Sequence, residues 1–204
     1  MRYFPIELDL AGRDALVVGG GREALAKVER LLEAGARVTV LATGDPDSAL
    51  RTGARAGRFT LHERELRDSD LEAPWVVFVE PGDEPLSRRL LEWGTRTRRP
   101  VCTLDRPELS TFANPTVVGV GGLTLAIGSG GASPGTLRRI REDLSALFSD
   151  ERFTRWLTTL ATLRETLPRG ERARRMAAAV RGFAVDAKLR FPAWFERGEE
   201  PPDA

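Results

Sequence analysis

One cysteine, one histidine and two lysines are all that 204 residues contain of these types. With Cys102 alone, no disulfide can close within the chain and no cysteine-based zinc site can form. With His62 alone, no histidine pair is available to hold a metal, so no metal site is expected. A basic surplus is missing too. Lys and Arg number 31 against 30 Asp and Glu, leaving a net charge of +1 that gives no support for a nucleic-acid partner. The longest apolar run, Trp75 to Val79, is far too short to span a bilayer. The first seven residues carry no apolar stretch of the secretory kind. These absences lead us to expect a soluble protein of a reducing compartment, the cytoplasm, with no membrane partner.

What is present is ordinary globular material, 41% hydrophobic and 30% charged, enough to build a core. Residues 1–112 alternate short apolar runs with helical patterns. Ala15-Leu16-Val17-Val18, Val38 to Ala42, Phe59-Thr60-Leu61, Trp75 to Val79 and Val101 to Leu104 read as strands. Between the first two, Ala24, Leu25, Val28, Leu31 and Leu32 share one helix face, and Gly35 is placed to end the helix. Strands this apolar, alternating with helices, predict an α/β domain with a doubly wound parallel sheet covered on both faces, Rossmann-like in plan. Residues 113–148 change style. Thr116-Val117-Val118 and Leu123 to Ile127 flank glycines as a hairpin would, and a Ser/Gly loop then enters a helix at Pro134. This predicts a small α+β region. Residues 149–204 read as a helical domain, with a stripe from Phe153 to Leu167 and a second one including Met176, Ala177, Val180, Phe183 and Ala184 expected to be core.

Three sets of residues suggest chemistry. Gly19-Gly20-Gly21-Arg22-Glu23-Ala24 is a G-x-G-x-x-A pattern lying directly after a strand and before a helix. Gly19 permits the tight turn, Gly21 lets backbone approach a pyrophosphate, and Ala24 allows close helix–strand packing at a helix end that attracts phosphate. Gly19, Gly21, Arg22, Glu23 and Ala24 are therefore the candidate dinucleotide residues, against a plain glycine turn. No acidic residue ends the second strand, so ribose contacts fall to backbone or Thr43. No arginine sits there either, and the balance leans to NAD over NADP. Asp105 ends the last apolar strand of this domain, where ligands of open α/β sheets bind, and could take a proton. A turn aspartate before Arg106-Pro107 is an equal reading. Ser129, Gly130, Gly131 and Ser133, followed by Arg138 and Arg141, could receive a carboxylate-rich ligand. Taken alone, a hairpin exit with solvated arginines weighs more. His62 and Cys102 read as structural.

In order and spacing, these pieces resemble the precorrin-2 dehydrogenase/sirohydrochlorin ferrochelatase family, the N-terminal half of bifunctional siroheme synthases. Phe4-Pro5-Ile6, Val17 to Gly21 with Ala24 and Lys27, Leu32 to Ala36, Asp105 with Phe112 and Pro115, and Ser129 to Pro134 carry the likeness. The resemblance implies NAD-dependent oxidation of precorrin-2 to sirohydrochlorin, with Asp105 as the catalytic base. It further implies substrate contacts from Ser129, Gly130, Gly131, Ser133, Arg138 and Arg141. Ferrous iron insertion in the same pocket is implied for bifunctional members. A homodimer joined through the region 113–148, with the helical part over the substrate cleft, is implied too. No methyltransferase domain follows in this sequence, so methylation of the precursor is expected from another protein. Val79-Glu80-Pro81-Gly82-Asp83 departs from the family pattern: Pro81 removes a backbone donor, and Glu80 brings negative charge near a pyrophosphate. That departure motivates the alternatives, a chelatase-biased enzyme or a catalytically weakened dinucleotide- and tetrapyrrole-binding homologue.

Overall fold

The computed structural model describes residues 3–128, 134–200 and 202. Its contacts divide the chain into two units, Met1–Val117 with Ala126–Arg141, and Val118–Leu125 with Glu142–Ala204. The first unit holds a sheet of five strands: β1 (Asp14–Val18), β2 (Arg37–Leu41), β3 (Thr60–His62), β4 (Val76–Val79) and β5 (Val101–Thr103). They run in the order β3-β2-β1-β4-β5, and every neighbouring pair is parallel. Helices α1 (Arg22–Glu33), α2 (Ser48–Arg55) and α3 (Glu84–Thr97) make crossovers.

The apolar runs of β1 and β4 follow from this topology. Successive strand residues face opposite sides, so a sheet covered twice needs apolar side chains at every position. Ala15, Val17, Val76 and Phe78 pack with Ala24, Val28 and Leu31 of α1 and Leu50 of α2. Leu16, Val77 and Val79 face the other way, onto Leu90 and Trp93 of α3. As its position suggests, Gly35 ends α1. It sits at φ +76°, its N–H donates to the Leu32 carbonyl at 2.9 Å, and Ala36 N–H reaches the Leu31 carbonyl at 3.0 Å.

β6 (Thr116–Val120) and β7 (Leu123–Ile127) form a two-stranded sheet. The turn is shorter than the glycine pattern suggests. Only Gly121 and Gly122 lie outside the strands, at φ +54° and +90°, as a tight hairpin requires of both central residues. Helix α4 (Pro134–Leu147) starts at the expected proline. In the second unit, α5 (Glu151–Thr166) is followed by α6 (Arg169–Ala179) and the single turn α7 (Ala193–Glu196). Trp156 and Phe183 stack at 4.2 Å between centroids, with Phe153 beside both rings.

Two expectations need correction here. The second stripe is not one helix, because α6 stops at Ala179 and leaves Phe183 and Ala184 beyond it. Nor are the stripes fully core: Phe153, Trp156, Leu157, Leu160 and Leu163 are half-buried and Leu167 is buried, whereas of the second stripe Met176 is half-buried and the others are exposed. Two helices packed on each other cover such a stripe from one side.

Candidate functional site

The sheet order reverses direction between β1 and β4, and the crevice of an open α/β sheet lies at the carboxyl ends beside such a reversal. Two segments meet there. One is the glycine turn from β1 into α1. Gly19 adopts φ +143°, which a side chain would resist, and its N–H donates to the Leu41 carbonyl at 2.9 Å. Gly21 is the N-cap of α1 and has no side chain to satisfy the open helix end. The other segment is the exit of β4, where Glu80 N–H donates to the Val18 carbonyl at 2.8 Å and prolongs the ladder by one residue.

From that anchored backbone the Glu80 side chain enters the glycine turn. Its Oε2 accepts from Gly21 N–H at 2.9 Å, and its Oε1 from Ala24 N–H at 3.4 Å. A Cβ on Gly19 would lie 2.6 Å from Oε2, and one on Gly21 would collide with Oε1. The carboxylate thus lies in the space that the missing side chains leave open, against the positive end of α1. Donors, helix end and clearance all suit a phosphate, so the residues present fit the pyrophosphate of a dinucleotide in kind. Arg22 and Glu23, in the first turn of α1, are exposed. The role of Glu80 as an internal partner of the turn was not legible from spacing. Its charge after β4 was the only signal.

At the end of β2, Thr43 is exposed. The late acidic residue, Asp45, accepts from Arg51 at 2.7 Å, and Arg51 also holds Glu63 at 2.8 and 3.0 Å. Those hydrogen bonds, that of Glu63 first, push the guanidinium pKa further up.

Beyond β5, the chain turns back on itself. Ser110 Oγ accepts from Thr103 N–H at 3.0 Å and Thr111 Oγ1 from Val101 N–H at 2.8 Å. Hydroxyls thereby serve the open edge of β5, and Leu109 is buried beneath. This fold-back carries Asp105 into an exposed position at φ +56°. Lys27, one turn along α1 from Ala24, lies 5.7 Å from the Phe78 ring centre, and Phe112 meets that ring edge-on at 5.6 Å. Burial pushes the Lys27 ammonium pKa down, while electrostatic interactions with Cys102 and Asp105 oppose the shift. Burial pushes the Cys102 thiol up, which suits a structural thiol better than a nucleophile. Lys27 is thus an electrostatic neighbour of Asp105, which sequence reasoning did not single out.

Arg138 and Arg141 are exposed on α4, one turn apart. Ser129, Gly130, Gly131 and Ser133 lie outside the described residues. Among the described residues, no group of three or more His, Cys, Asp or Glu could hold a metal ion. No helix among them is long and apolar enough to cross a membrane.

A five-stranded parallel sheet with a glycine turn at its switch point defines a Rossmann-like α/β protein. Residues 6–116, more than half of the chain, match the family NAD_binding_7, described as "Putative NAD(P)-binding". The chain belongs to that family. It is 33% identical over 147 residues to the siroheme synthase of Neisseria meningitidis serogroup C, covering 72% of this chain and 30% of that one. The siroheme synthase of Pseudoalteromonas atlantica is 36% identical over 147 residues, 72% of this chain and 32% of that protein. That of Escherichia coli O1:K1 is 36% identical over 148 residues, with the same coverages, 72% and 32%. The match therefore spans about a third of the length of these curated relatives. Among solved structures, SirC, a precorrin-2 dehydrogenase, shares the fold with a TM-score of 0.71 at 24% identity, over 88% of this chain and 90% of that one.

Proposed function

We propose that the chain is a precorrin-2 dehydrogenase of siroheme biosynthesis that uses a nicotinamide dinucleotide, NAD in preference to NADP. The observation carrying this reading is the glycine turn at the β1/β4 switch point, with backbone donors at the end of α1 and Asp105 at the carboxyl end of the same sheet. The similarity to siroheme synthases supports the substrate class, and the fold is the one SirC has. Gly21 and Ala24 N–H would hold the pyrophosphate. Preference for NAD rests on Arg51, whose guanidinium is already shared between Asp45 and Glu63 rather than offered to a 2′-phosphate.

A bound nicotinamide ring supplies the hydride acceptor. Asp105 takes the proton that leaves as the tetrapyrrole loses two hydrogens in all, one as hydride and one as H⁺. Arg138 and Arg141 would receive the substrate carboxylates, and Ser129, Gly130, Gly131 and Ser133 are assigned the same role by the family resemblance. The test is turnover of precorrin-2 followed by absorbance with NAD and with NADP. Oxidation faster with NAD supports the reading, and no oxidation with either refutes it.

A second reading draws on Glu80. A carboxylate in the phosphate cradle disfavours dinucleotide use, and so favours ferrous iron insertion into sirohydrochlorin as the main activity, with Asp105 removing pyrrole N–H protons. Iron insertion without precorrin-2 oxidation in the same assay would select it.

A further inference from the structure

We propose that Glu80 is the resident anion of the dinucleotide cradle and sets how tightly this chain takes a dinucleotide, which enters only by displacing it. The inference rests on the dinucleotide reading above and deepens it. Three observations converge. The N–H groups of Gly21 and Ala24, which would hold a pyrophosphate, both donate to the Glu80 carboxylate, at 2.9 and 3.4 Å. The clearance over Gly19 and Gly21 that would admit phosphate oxygens is filled by the same two carboxylate oxygens. The contact also joins residues 59 and 56 positions apart across the switch point, so it is not a local helix cap from the sequence immediately before α1.

Carboxylate and pyrophosphate are therefore mutually exclusive at one set of donors. Their like charges would also repel if both stayed close. Displacement needs no break in the sheet. The Glu80 backbone stays bound to Val18, and rotation about the side-chain bonds is enough to withdraw the carboxylate. The cradle is satisfied without ligand, and the free energy of that satisfaction is subtracted from dinucleotide binding.

The experiment is calorimetric titration of NAD into the full chain, Glu80→Ala and Glu80→Gln. It is paired with amide NMR of Gly21 and Ala24. Removing the internal anion should tighten NAD binding at least tenfold in Glu80→Ala, about 1.4 kcal/mol. Glu80→Gln, which keeps the shape but loses the charge, should fall between the two. Without ligand, the Gly21 and Ala24 amides should shift and exchange faster in Glu80→Ala than in the parent chain. If Glu80→Ala does not fold, judged by spectral dispersion, Glu80→Gln carries the comparison, and tighter binding than the parent is then required. Binding by all three within twofold would overturn the role of Glu80 and leave the dinucleotide reading standing. Absence of NAD and NADP binding in every variant would overturn both.

Discussion

Asp105 holds φ at +56°, a conformation that costs most L-residues about 1–2 kcal/mol but that Asp and Asn adopt more readily through local hydrogen bonding. Strain of this kind, found at the carboxyl end of a strand, is an argument for a role. It also decides which variant tests that role. Alanine would remove the carboxylate and add backbone strain, whereas asparagine removes only the charge and the proton acceptor. We expect Asp105→Asn to keep its thermal midpoint and its NAD affinity, while precorrin-2 oxidation falls about 10²–10⁴-fold, the usual worth of a positioned base. Full activity in Asp105→Asn across the pH range would dismiss Asp105 as the base. Glu80 teaches the complementary lesson. A residue that breaks a family pattern by charge alone proves to have two specific hydrogen bonds, and so a defined place.

Among the elements, α3 and the segment before β4 are where packing and charge are most exposed to test. Gly94 of α3 rests against β5. A Cβ there would collide with Val101 Cγ2 and lie 2.8 Å from the Arg99 carbonyl oxygen. Alanine would gain up to about 1 kcal/mol of helix propensity, but overpacking against a fully buried strand residue costs about 1–3 kcal/mol. The steric cost prevails, so Gly94→Ala should unfold at lower denaturant concentration than the parent. Asp70, in the short 3₁₀ turn Asp68–Leu71, accepts both Arg64 guanidinium nitrogens at 2.7 and 2.8 Å, and the Arg67 N–H at 2.8 Å. The Arg64 hydrogen bonds, against a smaller desolvation effect, bring its pKa down to about 2 from 3.8. A carboxyl with a depressed folded-state pKa contributes stability that is complete above the unfolded value, and is lost as pH falls through the folded one. The contribution of this pair should therefore disappear between about pH 4 and pH 2. Denaturant titrations across that range should show a shallower pH dependence for Asp70→Asn than for the parent. Equal slopes would mean that the pair does not discriminate the folded state.

For the whole molecule, the open question is assembly. A two-stranded ribbon such as β6–β7 is marginal in water by itself, and its edges invite a further strand. The apolar residues of that hairpin, Val118, Leu125 and Ile127, are the ones a dimer contact through region 113–148 would use. Val118 needs no such contact, because it is already buried within one chain, while Leu125 and Ile127 are only half-buried. We propose a two-fold homodimer that covers those two residues. Light scattering at micromolar concentration should give twice the chain mass of 22.5 kDa, and Leu125→Asp should halve it. A monomeric parent would refute the assembly, and a dimer insensitive to Leu125→Asp would move the contact elsewhere.

Much of the fold is legible in the sequence. The five apolar runs, the glycine turn with Ala24, the helix stop at Gly35 and the hairpin glycines follow from local rules of period, φ and packing size, which act over a few neighbouring residues. Asp105 was readable as a strand-end carboxylate for the same reason. Other features depend on partners far apart in the chain. The insertion of Glu80 into the turn of Gly21 and the approach of Lys27 to Phe78 arise only when the crossovers bring strand ends together. The exposure of Ala177, Val180, Phe183 and Ala184 was likewise hidden, since period identifies an apolar face but not whether anything covers it. Local periodicity is written in the chain, whereas the identity of the anion in the cradle is decided by which strand folds beside β1.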